Sequence, residues 1–350
     1  VGHYFRSWIT DLDPQIFERI VIHTGWQPDE FACALQAQCD QFLLVRGGVL
    51  SVAETIRAQV ANILIYPEVG MGTINYLLTN MRLAPIQIAA WGHPVTTGSR
   101  EIDYFLTCEA MEPPGEFVAA AHYTERLLML PGIGTRYSMP TVNNFNLTRE
   151  TFGLSVDSHV YICPQSLFKI HPDNDLIFPD IMLRDEKAVV LFFQSEHRTI
   201  TQALSQRLSS LMAARGMAPR GQIKFLPRVD AASFRGILSF ADVVLDTLHW
   251  SGGNTSLDAL AAAAPVVTLP GELMRGRQTQ AMLRAMGTNE LVVAGQEGYV
   301  SKAIEVACDS GIRAALSRKI AMDRGAVFDR HEPVKQLAQH LLRLFETGSQ

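Results

Sequence analysis

The feature that most limits what this chain can fold into is its alternation of short, continuous apolar runs with longer amphipathic stretches. The runs fall at 19–23, 42–45, 63–66, 86–90, 104–107 and 127–130. A second series follows at 159–163, 189–193, 223–226, 243–246, 266–269 and 291–293. Most are uninterrupted rather than alternating with polar residues, as in strands buried on both faces of a parallel sheet. Between them lie stretches such as 199–215 and 277–286, whose apolar residues recur at helical spacing. Repeated strand–helix alternation predicts an α/β protein with doubly wound sheets.

The series breaks once. From 131 to 157 the chain carries Gly, Pro, Asn, Ser and Thr without periodicity, which reads as a linker between domains. A length of 350 residues suits two such domains. The expected layout is a first Rossmann-like domain over 1–137, a second over 138–330, and a C-terminal helical segment over 331–350. In that last segment Val334, Leu337, Ala338, Leu341, Leu344 and Phe345 share one helical face. Two open α/β domains joined this way would leave a cleft, and ligands of such sheets bind beyond the carboxyl ends of the strands.

Charge narrows the range of partners. A formal charge of −5 with scattered basic residues offers no footprint for nucleic acid. No apolar run approaches the ~20 residues of a membrane-spanning helix, and no secretory signal opens the chain. The first residue is Val1, so the start reads as a fragment boundary. Five cysteines, Cys33, Cys39, Cys108, Cys163 and Cys308, form no CxxC pair. They fit a reducing, cytoplasmic compartment in which thiols serve as buried fillers.

Three loops following strands carry candidate chemistry. The strongest runs from Asp246 through His249, Trp250, Ser251, Gly252, Gly253, Asn254, Thr255 and Ser256 to Asp258, after one apolar run and before a helix at 257–263. Gly252 and Gly253 let the backbone approach a ligand. Asn254, Thr255 and Ser256 are good helix-capping residues. A helix N-terminus presents free N–H groups and partial positive charge, so the segment suits a diphosphate. Asp258, one turn further on, suits a ribose hydroxyl. The same residues also suit a plain capped helix after a Gly-rich turn. Neither GxGxxG nor GxxxxGK[ST] occurs, which removes support for dinucleotide and P-loop readings.

The second loop, Cys163 to Pro172, places Lys169 just beyond a strand end, where a cation suits a leaving diphosphate. The third, Ala90 to Gly98, holds His93 between Gly92 and Pro94. Glu68, ending another strand, is its rival as general base. Asp11-Leu-Asp13 and Asp173-Asn-Asp175 have DxD spacing but lie at helix ends, where acids suit the dipole. No metal ligand is assigned.

Several segments, in order, resemble the O-GlcNAc transferase/SPINDLY family, most closely its bacterial branch. They include Tyr66-Pro-Glu-Val-Gly-Met, Trp91-Gly-His-Pro-Val-Thr-Thr-Gly, Phe168-Lys-Ile-His-Pro, Ala241-Asp-Val-Val-Leu-Asp-Thr and Val266-Val-Thr-Leu-Pro-Gly-Glu. The resemblance implies a GT-B fold, two Rossmann-like domains with the donor held mainly by the second. It implies an inverting, metal-independent protein glycosyltransferase that moves GlcNAc from UDP-GlcNAc to Ser/Thr, with no cofactor. The family also contains enzymes that pass glucose from UDP-glucose to Asn, and plant members that transfer fucose. Lys169 matches the lysine on the donor diphosphate, Thr255 the phosphate-binding residue, and Asp258 the ribose carboxylate. His93 is similar to the Gly-His-Pro loop of bacterial members.

Departures from the family pattern cluster around the donor. Gly253 stands where animal enzymes have His, and Asn254 replaces a Thr. Phe234 falls where a His stacks on uracil, and Ser166 where a Gln lies, with Gln165 beside it to supply an amide. His249 joins these as a donor-side residue. The family usually carries a strand and a His-containing loop before the segment matching Tyr4–Trp8, and a helical repeat upstream. The sequence opens at Val1 with neither ahead of Tyr4, so a non-catalytic nucleotide-sugar-binding remnant is carried as an alternative expectation.

Overall fold

The computed structural model describes residues 1–25, 27–142, 148–218 and 221–348. It divides into two compact units, one formed by Val1–Ser138 with Val327–Gln350 and the other by Met139–Ala326. The chain passes from one unit to the other after Ser138 and back after Ala326, and residues 143–147 lie outside the described residues.

In the first unit β1 (Ile20–His23) and β2 (Gln41–Leu44) pair parallel with each other as a two-stranded sheet. The strands β3 (Ile63–Tyr66), β4 (Ile86–Ala90), β5 (Tyr104–Cys108) and β6 (Arg126–Leu130) form a four-stranded parallel sheet in sequence order. Ile88, Ala89, Ala90, Phe105, Leu106 and Leu130 are fully buried, as continuous apolar runs require. Each large side chain so buried contributes ~1.5–3 kcal/mol. The C-terminal helix Glu332–Gly348 completes this unit. Its buried Val334, Leu337 and Leu341 recur every three or four residues. Its His340 Nε2 lies 3.0 Å from the Met129 carbonyl of β6.

The second unit holds β7 (His159–Cys163), β8 (Ala188–Phe193), β9 (Ile223–Leu226), β10 (Val243–Leu245) and β11 (Val266–Val267). All pair parallel, in the spatial order β11-β10-β7-β8-β9. The chain thus builds outward from β7 through β8 to β9, then returns to lay β10 on the other side of β7. That reversal is a topological switch point, and the crevice beyond the carboxyl ends of β7 and β10 is where such sheets take ligands. The first unit's four-stranded sheet, running in sequence order, has no such reversal.

Helices follow their local signals. Helix Arg198–Ala214 buries Leu204, Leu208 and Met212, one residue per turn. Helix Ala231–Leu238 starts at Asp230, whose carboxylate accepts from the Ala232 and Ser233 amides at 2.9 Å. Two expectations need correction. Residues 291–293 form no strand: Thr268 and Val292 make a single parallel bridge, and Asn289–Leu291 is a 3-10 turn that curls the chain away. The cysteines are not uniformly buried either. Cys108 and Cys163 sit inside strands, but Cys33 and Cys308 are exposed because they lie at a helix surface and a helix end. Among the described residues no helix is long and apolar enough to cross a membrane.

Candidate functional site

The loops after β7 and β10 meet at the switch point, and Gln165 ties them. Its side-chain amide donates to Thr247 Oγ1 (3.2 Å) and to the Trp250 carbonyl (3.0 Å). Its Oε1 accepts from the Ser166 amide at 3.1 Å. Gln165 is therefore buried and committed to the protein, whereas Ser166 is exposed beside it. A second tie comes from Asn174, whose Oδ1 accepts the Leu248 amide at 2.8 Å.

Beneath the Gly-rich loop lies a buried carboxylate that sequence reasoning left without a role. Asp246 Oδ1 accepts the Gly252 amide at 2.7 Å. Its Oδ2 accepts from Ser251 Oγ and Thr268 Oγ1, each at 2.7 Å. Burial raises its pKa, and these hydrogen bonds pull the other way. Ser251 Oγ also accepts the Thr279 amide (3.0 Å), and Thr279 Oγ1 lies 2.7 Å from Ser256 Oγ. Tyr299 donates to the Asp246 carbonyl at 2.7 Å. The loop is thus pinned from below at Ser251, Gly252 and Ser256. The signal available in the sequence was an acid at a strand end just before a Gly pair.

Pinning leaves the helix start open. Helix Asn254–Ala261 begins after Gly253 with no side-chain cap, so Asn254, Thr255 and Ser256 form its first turn rather than capping it. Their amides are N-terminal groups that no helix carbonyl can reach. Asn254 is exposed and Thr255 half-buried, whereas the Ser256 hydroxyl is turned inward onto Thr279. Gly252 must be small here: a Cβ on it would meet Ser256 Oγ at 2.3 Å and Thr255 Oγ1 at 2.7 Å.

Lys169 lies against this loop, its Nζ 5.3 Å from the centre of the Trp250 ring and 5.8 Å from that of Phe168. Among the described residues no carboxylate pairs with it. Partial burial lowers its pKa by desolvation alone, so the cation is poorly compensated. Further along the helix, Asp258 stands 3.4 Å from Arg235 Nη1. Burial pushes its carboxyl up to about 6, against the pull of that guanidinium. Phe234 precedes Arg235 and rests on Phe193, ring centres 4.9 Å apart.

His249 sits at φ 68°, in the left-handed region that costs a non-Gly residue ~1 kcal/mol or more. Its Nε2 is 2.6 Å from Asp173 Oδ2, and its ring stands edge-on to His171 at 4.8 Å. Asp175, two residues on, pairs instead with Arg207 at 2.9 Å. The two carboxylates of that DxD spacing therefore serve different partners. In the other, Asp11 binds Arg136 while Asp13 accepts the Gln15 amide.

The remaining candidates belong to the first unit, at the carboxyl ends of β3 and β4. The Gly92 amide donates to the Pro67 carbonyl at 2.9 Å, drawing the Glu68 and His93 loops together. A Cβ on Gly70, at φ +119°, would meet the His93 ring at 2.8 Å. Glu68 is buried, and its two oxygens accept from the Met71 amide (2.8 Å) and the Asn75 side chain (2.7 Å). Its carboxylate braces its own loop; the His93 ring is half-buried.

Known proteins with this architecture are consistent. A mutant of the Thermobaculum terrenum O-GlcNAc transferase superposes with a TM-score of 0.81 at 26% identity, covering 99% of this chain and 65% of that one. The likeness gives the two parallel α/β units the GT-B fold. The probable UDP-N-acetylglucosamine–peptide N-acetylglucosaminyltransferase SEC of Arabidopsis thaliana is 28% identical over 275 residues, 76% of this chain and 27% of that protein. The corresponding SPINDLY protein of Solanum lycopersicum is 25% identical over 300 residues, 80% of this chain and 30% of its own length. The chain thus spans under a third of the length of these curated relatives. The Glycosyl transferase family 41 model matches residues 135–337, a stretch that takes in every element of the switch-point site. By that match over more than half its length, the chain belongs to glycosyl transferase family 41.

Proposed function

We propose that the protein is an inverting, metal-independent glycosyltransferase that moves GlcNAc from UDP-GlcNAc to Ser or Thr of a protein acceptor. One observation carries the reading. Lys169, a cation with no carboxylate partner among the described residues, lies against the loop that opens an uncapped helix at the sheet's switch point. A diphosphate there would meet both the ammonium and the first-turn amides of Asn254–Ser256. The relatives named above as UDP-N-acetylglucosamine–peptide transferases support the donor and the class of acceptor.

In this reading the acceptor hydroxyl oxygen attacks the anomeric carbon from the face opposite the diphosphate. The bond from that carbon to the phosphate oxygen breaks, and the hydroxyl proton passes to a base. Lys169 and the helix amides hold the charge that accumulates on the leaving diphosphate. Asp258 accepts from the ribose, and Phe234 and Ser166 flank the base. His93 and Glu68 are the two candidates for the general base, and the oxygens of Glu68 accept from the Met71 amide and the Asn75 side chain.

The test is a donor screen with UDP-GlcNAc, UDP-glucose and GDP-fucose, with products mapped by mass spectrometry to Ser/Thr or Asn. Transfer of GlcNAc to Ser/Thr is expected. Lys169→Ala should lower turnover by ~10² to 10³ while the fold is kept. Donor consumed with no modified protein would overturn the reading in favour of an epimerase. Modified Asn would move the acceptor assignment to amide chemistry.

A further inference from the structure

At the opposite end of β7 from Lys169, three side chains of metal-ligating type converge from three elements. His159 is the first residue of β7, Asp185 follows the last residue of helix Ile177–Arg184, and Cys308 ends helix Gly295–Cys308. His159 Nδ1 lies 2.8 Å from Asp185 Oδ2. Cys308 Sγ lies 3.4 Å from that nitrogen and 3.6 Å from that oxygen. Tetrahedral zinc, with bonds of ~2.0–2.1 Å to N and O and ~2.3 Å to S, sets neighbouring ligands ~3.3–3.6 Å apart. The two sulfur distances already match, and the third needs to open by roughly half an ångström.

The surroundings favour a cation in two further ways. The carboxylate is buried and oriented: Tyr161 donates to Oδ2 at 2.8 Å and the Lys187 amide to Oδ1 at 3.1 Å. Such outer partners fix a ligand's position before the ion arrives. Helix Ile177–Arg184 also ends here, with the negative end of its dipole toward the cluster; the carbonyls at the end of the other helix are taken by Arg313, whose Nη1 donates to Val306 and Ala307. Cys308 is exposed, so an ion has a way in.

We propose that His159, Asp185 and Cys308 bind a borderline-soft divalent metal ion of the zinc type, with water as fourth ligand. On binding, the Cys308 S–H bond gives way to a metal–sulfur bond and the proton leaves to solvent; His159 coordinates through Nδ1 and keeps its proton on Nε2. The ion ties the start of the central strand to two helix ends. One of these helices carries Tyr299, which holds the Asp246 carbonyl under the donor loop. The site is a brace, remote from the sugar chemistry. Separations of 26 and 123 residues between ligands hide it from any spacing motif.

The test uses the full chain without an affinity tag, and Co²⁺ as a spectroscopic substitute for zinc. One equivalent should bind saturably, giving a thiolate-to-cobalt charge-transfer band and the intense visible bands of a tetrahedral ion. Zn²⁺ should displace it and, at about a hundredfold excess over its dissociation constant, raise the melting temperature by roughly 5 °C. Cys308→Ser should lose the charge-transfer band, and Asp185→Asn should weaken binding by about tenfold or more, as loss of a tuned ligand environment does. Far-ultraviolet circular dichroism checks that each variant is folded; should Cys308→Ser not fold, Cys308→Ala takes its place. A band that survives both Cys308 variants would assign the thiolate to Cys33 or Cys39 and overturn the proposal. So would a folded wild-type chain that binds no cobalt saturably.

Discussion

Asp258 is where a single residue links burial to the pH range of the proposed reaction. Its carboxyl is pushed up to about 6, chiefly by desolvation, and Arg235 opposes the rise by charge and hydrogen bond. The folded state therefore holds a proton that an unfolded Asp releases near its ordinary value of 3.8. Ionised Asp258 costs stability above pH 6, and the cost is relieved as pH falls from 6 toward 3.8. Donor binding has the opposite sign if the ionised form accepts from the ribose, since that acceptor weakens below pH 6. Arg235→Ala removes the opposing charge, so the pKa rises and the acid limb of kcat/KM moves to higher pH. Arg235→Lys keeps a charge and should leave the limb close to the wild-type position. A limb unmoved by Arg235→Ala would separate Asp258 from donor binding. As candidates, Asp258 and Lys169 could be picked out of the sequence because each lies a few residues from a strand or helix end. Arg235 could not: it stands 23 residues away, and only the fold sets it against Asp258.

At the scale of elements, the helix Asn254–Ala261 was legible as a helix but not in its manner of starting. Local preference favours Asn254, Thr255 or Ser256 as its cap. Tertiary contacts decide otherwise: Thr279 takes the Ser256 hydroxyl and Asp246 takes the Gly252 amide, so the chain enters the helix one residue earlier. The outcome is a rigid loop with an uncapped first turn. The partners that impose it, Thr268, Thr279 and Tyr299, come from three later segments with no shared motif. Run 291–293 failed as a strand for a related reason, since composition cannot tell a two-hydrogen-bond edge contact from a ladder. The start of the helix carries its own prediction. In Gly252→Ala the new methyl meets the Thr255 and Ser256 hydroxyls well inside contact distance. Overpacking of this kind costs ~1–3 kcal/mol. Because the displaced residues belong to the first turn, UDP affinity should fall by at least tenfold, a change of about 1.4 kcal/mol. Calorimetric titration of UDP into the folded variant measures it, and wild-type affinity would mean that the first turn does not touch the nucleotide.

For the whole molecule, the decisive fact is that the two units are built differently from the chain. The second, Met139–Ala326, is continuous and contains all five strands of its sheet, the switch point, the Asp246 network and Lys169. The first is discontinuous: residues 1–138 form one compact unit with the returning segment from Val327 onward. That segment buries Val327, Phe328, Val334, Leu337 and Leu341, and its backbone is stitched to the unit by the Asp329 amide on the Tyr137 carbonyl at 2.9 Å. Removing five such side chains takes away on the order of 7–15 kcal/mol of apolar burial, at ~1.5–3 kcal/mol each. That is as large as the entire stability of an ordinary domain. A chain ending at Ala326 should therefore lose the cooperative melting of its first unit, while residues 139–326 keep a melting transition that UDP shifts upward. Differential scanning calorimetry with and without UDP distinguishes the two transitions. If the shortened chain still melts as the intact one does, the C-terminal helix is an accessory rather than part of the first unit's core. If it melts without any response to UDP, the nucleotide site draws on residues outside the second unit.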